Sequence, residues 1–135
     1  MFNLNEIRSK GKFLGVKTTK NEENLDIYQY PPEIDTGFLN QFYIFYQDQN
    51  IPGYHINITF QNNCKWIKIG DIKVPKGSRR GYGSILLKEV ENAAKSLGIE
   101  RIWGNLDSED DEHRAIQVSF YKKAGYQINQ NTVFK

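Results

Sequence analysis

An α/β (mixed) fold is what this sequence predicts, on three observations. Apolar residues repeat at every second position through 54–74, the period of strands. They switch to a helical period between Leu86 and Leu97, directly after a glycine-rich loop. A short strand-like run, Arg101 to Asn105, follows at once, so strand, helix and strand make one crossover in an otherwise antiparallel sheet.

The elements follow in order. Met1 to Lys10 has no apolar core long enough for a signal peptide, and no run approaches membrane-spanning length, so the cytoplasm is the default location. Phe13 to Thr19 and Leu25 to Tyr30 read as short strands joined through Lys20-Asn21-Glu22-Glu23, the second stopped by Pro31-Pro32. Glu33 to Gln41 has room for a helical turn or two, weakened by Gly37. Phe42 to Tyr46 is aromatic on both faces, as an interior strand would be, and Ile51-Pro52-Gly53 closes it. Tyr54, Ile56, Ile58 and Phe60 alternate with His55, Asn57, Thr59 and Gln61, a strand with one wet face. Past Asn62-Asn63-Cys64, apolar residues fall at odd positions (Ile67, Ile69) and then at even ones (Ile72, Val74). The side-chain phase flips across Gly70-Asp71, which marks a β-bulge, and residues 42–74 form an antiparallel meander.

Lys76-Gly77-Ser78-Arg79-Arg80-Gly81-Tyr82-Gly83-Ser84 comes next and reads as an anion cradle. Glycines let the backbone approach a ligand closely, and the helix starting there presents unpaired amide hydrogens. Those amides, the positive end of the helix dipole and two arginines suit a pyrophosphate; the bland alternative is a basic turn before a helix. The loop lacks the Lys-Ser/Thr ending of a P-loop and is not a Gly-x-Gly-x-x-Gly dinucleotide fingerprint. Leu86, Val90, Ala93, Ala94 and Leu97 form one buried stripe, and Gly98 with Ile99 supplies a glycine C-cap. The acidic loop Asp107-Ser108-Glu109-Asp110-Asp111-Glu112 leads to a second helix from about Asp111 to Ala124, ended by Gly125. Its acids either attract a cationic amine or favour the helix N-terminus. Tyr126 to Ile128 and Thr132 to Phe134 suit a closing hairpin.

Composition bounds the function. At 135 residues, 39% of them hydrophobic, the chain reads as one domain, residues 1–135, able to bury a core without staples. The single cysteine, Cys64, excludes an intrachain disulfide framework, and two histidines, His55 and His113, are too few for a zinc site, so no metal is expected. Net charge is −2 over residues 1–50 and +4 over the rest, placing the cradle in the basic half. That excess is small for a nucleic-acid role, and neither nucleic acid nor membrane is expected as a partner. Monomer or homodimer is left open by the sequence.

The second helix ends Ser119-Phe120-Tyr121-Lys122-Lys123-Ala124-Gly125-Tyr126. With the bulged strand and the Arg-x-Gly-x-Gly loop in the right order, the chain resembles the GNAT superfamily of acetyl-CoA-dependent N-acyltransferases over roughly Trp66 to Phe134, and more loosely before it. The resemblance implies a GNAT-like, mostly antiparallel twisted sheet whose bulge splays two neighbouring strands. It implies acetyl-CoA as co-substrate, its pantetheine arm paired with Ile72, Lys73 and Val74 and its pyrophosphate on Arg79, Arg80, Gly81, Tyr82, Gly83 and Ser84. Phe120, Tyr121 and Lys123 complete the cofactor set, and Tyr121 is placed to protonate the departing thiolate. The implied reaction moves an acetyl group to a primary amine, on a small molecule or a peptide, by direct attack. An amide on the bulged strand could stabilise the oxyanion, and Asp71 or Asp107 could take the amine's proton.

The chain departs from the family at named places. Ser78 stands where Gln or Arg is frequent, and Arg114 and Gln117 replace a frequent Asn and Ala. The two helices that usually follow the family's first strand have little room before Phe42. An alternative is therefore a catalytically silent acyl-CoA-binding module. Tyr28, Tyr30, Tyr43 and Tyr46 either line an acceptor pocket or fill the core. His55 reads as a solvated strand residue and Cys64 as a turn residue.

Overall fold

The computed structural model describes residues 4–19, 22–37, 39–46, 54–74, 81–106 and 110–135. Along them run α1 (Leu4–Lys10), β1 (Lys12–Thr18), β2 (Asn24–Tyr30), β3 (Asn40–Tyr46), β4 (Tyr54–Gln61) and β5 (Trp66–Lys73). Then come α2 (Tyr82–Leu97), β6 (Arg101–Asn105), α3 (Asp111–Lys123), β7 (Gln127–Asn129) and β8 (Thr132–Phe134). One eight-stranded sheet has the order β1-β2-β3-β4-β5-β6-β8-β7. Every pair is antiparallel except β5–β6, which α2 connects. The mixed fold and its single crossover are as the sequence predicts.

The main core lies between one sheet face and α2. Leu25, Ile27, Phe42, Ile44, Ile56, Ile58, Ile67 and Ile69 meet Tyr82, Leu86, Leu87, Val90 and Ala94 there. On the opposite face Ile7 of α1 is fully buried against Tyr43 and Phe45, with Tyr28 and Tyr30 packed alongside. Thus β3 is covered on both sides; Tyr43 is a core residue, and Tyr28 and Tyr30 pack half-buried against it. The alternating face of β4 is wet as expected, although His55 rests on the Tyr43 ring, centroids 5.0 Å apart.

Three expectations are corrected. Helix α1 has only Leu4 and Ile7 as apolar residues, too few to show a period, so the sequence reading passes over it. No helix forms in the described part of Glu33 to Gln41. The buried Asn40 amide instead holds the loop, donating to the Asp35 carbonyl at 2.7 Å and accepting from its N–H at 2.9 Å. Leu97 is 48% exposed: it sits in the last turn of α2, where Ile99 beyond the cap takes over the apolar contact. That cap is the expected one, with Gly98 at φ 70° and the Ile99 N–H donating to the Ala94 carbonyl at 2.9 Å.

The bulge falls where the phase flip puts it. Ile56 faces Ile72 and Ile58 faces Ile69, so two steps on β4 span three on β5, and the extra residue lies at Gly70-Asp71. Pairing between β5 and β6 runs only from Trp66–Arg101 to Ile69–Gly104. Beyond that rung β5 stays on β4, while β6 leans toward β8, the Leu106 N–H donating to the Asn131 carbonyl at 2.6 Å. The two strands part there, and among the described residues the β6-facing edge of Gly70–Lys73 has no partner strand.

Candidate functional site

Helix α2 begins beside this opening. Its N-cap, Gly81, takes φ 80° and ψ 11°, a left-handed conformation that strains any residue with a Cβ. No side chain caps this end and its first turn contains no acid. The first intrahelical bond is Ile85 N–H to the Gly81 carbonyl, at 3.0 Å, so the amides of Gly83 and Ser84 precede the helix's own ladder and can face a ligand or solvent. Helix α3 is the reverse case. Asp110 Oδ1 accepts from the His113 N–H at 2.7 Å, and Asp111 and Glu112 occupy its first turn. The described acids of the 107–112 loop therefore serve their own helix.

The Tyr82 side chain is committed to the core. Its ring is buried, stacks on Tyr54 with centroids 5.8 Å apart, and its hydroxyl donates to Glu23 Oε2 at 2.9 Å. Gly83 has a packing reason rather than a ligand reason for lacking a side chain, since a Cβ there would lie 3.1 Å from Phe120 Cε1. That contact seats the C-terminal half of α3 against the first turn of α2. Between the helices runs a groove of about 220 Å³ lined by Ser84, Leu87, Lys88, Glu91, Lys123 and Ala124.

Of the other residues singled out in the sequence, Ile72 and Val74 pack against the core while Lys73 and Asp71 are exposed along the opened edge of β5. Arg79, Arg80 and Asp107 lie outside the described residues. Lys88 went unnoticed in the sequence; its spacing of four from Ser84 on the wet side of α2 is the signal that could have found it. Arg114 ties α3 to the β7–β8 turn, donating to Asn131 Oδ1 and to the Gln130 carbonyl, at 2.5 and 2.6 Å.

Tyr121 is 6% exposed, edge-on to Phe120 and Tyr126. Burial pushes its pKa up to about 12. Tyr126 is raised too, by burial first and the Glu91 carboxylate next, and Tyr43 by burial, with the hydrogen bond to Gln41 opposing. An unfolded tyrosine ionises near ~10. Between that pH and 12 the unfolded chain releases a proton that folded Tyr121 keeps, so its stabilising contribution is complete below pH ~10 and is lost as pH rises toward 12. At about 1.4 kcal/mol per unit, Tyr121 alone accounts for about 3 kcal/mol. Urea melts at pH 9 and pH 11.5 should show about 2 kcal/mol of this loss; equal midpoints would contradict it.

Residues 15–126 match the sequence model of the acetyltransferase (GNAT) family. The chain belongs to that family. Solved structures agree on the GNAT fold. The anti-CRISPR protein AcrVA5 is 18% identical, with a TM-score of 0.53 over 64% of this chain and 94% of its own. The PaiA N-acetyltransferase of Thermoplasma acidophilum, in complex with coenzyme A, is 17% identical, with a TM-score of 0.54 over 71% of this chain and 58% of its own. A protein described as a streptothricin acetyltransferase from Bacillus anthracis str. Ames, in complex with acetyl coenzyme A, is 14% identical, with a TM-score of 0.57 over 98% and 94%. A search of curated protein sequences returns no significant match. Among the described residues of this GNAT chain, no helix is long and apolar enough to cross a membrane, and no group of three or more His, Cys, Asp or Glu could hold a metal ion.

Proposed function

We propose that this GNAT protein transfers an acetyl group from acetyl-CoA to a primary amine by direct attack. One observation carries the reading: an uncapped, acid-free helix N-terminus on a left-handed glycine stands beside a strand edge freed by a bulge. The residues present fit the coenzyme. The first turn of α2, from Tyr82 to Ser84, would hold the pyrophosphate with the amides of Gly83 and Ser84, and Arg79 and Arg80 precede it in sequence. The freed edge of Ile72, Lys73 and Val74 would pair with the amide-rich arm, and Lys88 and Lys123 flank a groove suited to a further phosphate.

Bound acetyl-CoA supplies the activated acyl group as a thioester. The amine nitrogen, in its neutral form, bonds to the carbonyl carbon as the carbon–sulfur bond breaks. Its surplus proton leaves to Asp71, exposed at the bulge, or to water, and an amide of the freed β5 edge faces the developing oxyanion. Tyr121 gives a proton to the leaving sulfur and regains one from solvent, so acetyl-CoA and amine become amide and free thiol. With a pKa of about 12, Tyr121 is protonated at every physiological pH and a weaker acid than a thiol of about 8.5. Its contribution is strongest as a hydrogen-bond donor to sulfur while negative charge builds there.

Thiol release from acetyl-CoA across a panel of small amines and lysine peptides tests the reading. Release with at least one acceptor is expected. Calorimetry should also give roughly 10-fold tighter binding of CoA than of 3′-dephospho-CoA, from the two lysines. Thermal stabilisation by CoA with no release from any acceptor would favour the silent binding module, an alternative motivated by the helix-free 31–37 loop.

A further inference from the structure

The sheet face turned away from α2 is covered by α1 only over β2 and β3. Across β4 to β8 its described residues form a strip whose charge is mainly positive. Along the strand registers the described residues of this face include three cations, Lys68, Lys73 and Arg101. Asp71, at the bulge two residues before Lys73, is the carboxylate set against them. Two of the cations are laid on aromatic rings: Lys68 Nζ is 5.1 Å from the Trp103 centroid and Arg101 Cζ 5.6 Å from that of Phe134. Trp103 is held by its Nε1–H, which donates to Gln61 Oε1 at 3.2 Å.

The strip runs up to the reaction gap. Lys68 faces Trp103 one rung before Ile69–Gly104, the last pair before β5 and β6 separate. Small acceptors are recognised in concavities that bury most of their surface. This face is open, because the loop after β2 builds no helix to wall it among its described residues. Tryptophan and arginine are instead enriched among the anchors of protein contacts. A strand of nucleic acid would want a longer cationic track, and it offers no aliphatic amine to acetylate.

Resting on the acetyl-transfer reading, we infer that the acceptor is a lysine on a protein segment with acidic flanks, docked across Trp66, Lys68, Arg101, Trp103 and Phe134. Carboxylates of the segment pair with Lys68 and Arg101, its aliphatic carbons cover the indoles, and the lysine reaches the gap.

Trp66 and Trp103 are the protein's two tryptophans, so their emission reports on the strip directly. Three heptapeptides are compared in the presence of CoA, each with one central lysine and with glutamate, serine or arginine flanks. The glutamate-flanked peptide should shift the emission, with a half-saturation that weakens as salt rises. In thiol-release assays it should have a kcat/KM at least ~10-fold above the arginine-flanked peptide. The double variant Lys68→Glu/Arg101→Glu should reverse that order while CoA affinity is unchanged. Equal kcat/KM for all three peptides, an emission shift with arginine flanks instead, or tighter binding of a single-stranded oligonucleotide overturns the docking face. A small amine turned over at the same time leaves acetyl transfer standing. Thiol release from no acceptor overturns acetyl transfer, and the emission titration then still decides the docking face.

Discussion

Replacing Tyr121 with Phe is expected to cut thiol release from acetyl-CoA by roughly 10²-fold, with CoA affinity and fold retained. Retention follows from packing. The ring lies edge-on to Phe120 and Tyr126, with centroids 5.1 and 5.4 Å away, and Phe preserves both contacts. What disappears is the phenolic proton. If its task is to neutralise charge on the leaving sulfur, the loss falls on kcat and leaves substrate binding nearly unchanged. Burial adds a second signature. Because folded Tyr121 holds its proton to about pH 12, the Phe variant should lose less stability than the parent between pH 10 and 12. Turnover equal to the parent's would remove Tyr121 as the acid. An unchanged alkaline melting profile would instead contradict its burial.

Local patterns were legible in the sequence, and long-range partners were not. The bulge could be read because side-chain parity is a local property: Ile67 and Ile69 against Ile72 and Val74 leave Gly70-Asp71 as the only place for an extra residue. Helix α2 and its glycine cap could be read for the same reason. Whether Tyr28, Tyr30 and Tyr43 line a pocket or fill a core depends instead on what covers that face. The cover is Ile7, from a seven-residue helix too short to leave a period. Gly83 looked like a ligand-approach glycine, but the ring that excludes its Cβ belongs to Phe120, on another helix. Arg114, which in the sequence showed only as a departure from a frequent Asn, secures the β7–β8 turn. Asp110, Asp111 and Glu112 could be read two ways until the Asp110 cap favoured one. Each ambiguity arose where a local motif has two uses and a distant residue chooses between them.

Gly104→Ala is the second substitution expected to act strongly, because it strikes the fork itself. Gly104 stands on the last rung shared by β5 and β6. A Cβ there would lie 3.1 Å from the Ile69 carbonyl oxygen, 3.3 Å from the Ile69 Cβ and 3.8 Å from Val133 Cγ2. The first of these is backbone, held in the sheet, and cannot rotate aside. Relief comes only from spreading the strands where they already begin to part. Overpacking of this kind costs about 1–3 kcal/mol, which for a domain of this size lowers Tm by roughly 4–12 °C. Gly83→Ala offers the contrast: its new methyl would meet the edge of the Phe120 ring, a side chain that can turn, so the loss should be smaller. Scanning calorimetry of both variants, with and without CoA, separates packing from the cradle. Gly104→Ala should show the larger fall without ligand and also a smaller CoA-induced gain, since the gap it widens is the one proposed to grip the coenzyme. A parental Tm in Gly104→Ala would mean that the β5–β6 rung is not closed to a methyl group. A parental CoA shift in a destabilised Gly104→Ala would mean that the width of the fork does not control coenzyme binding.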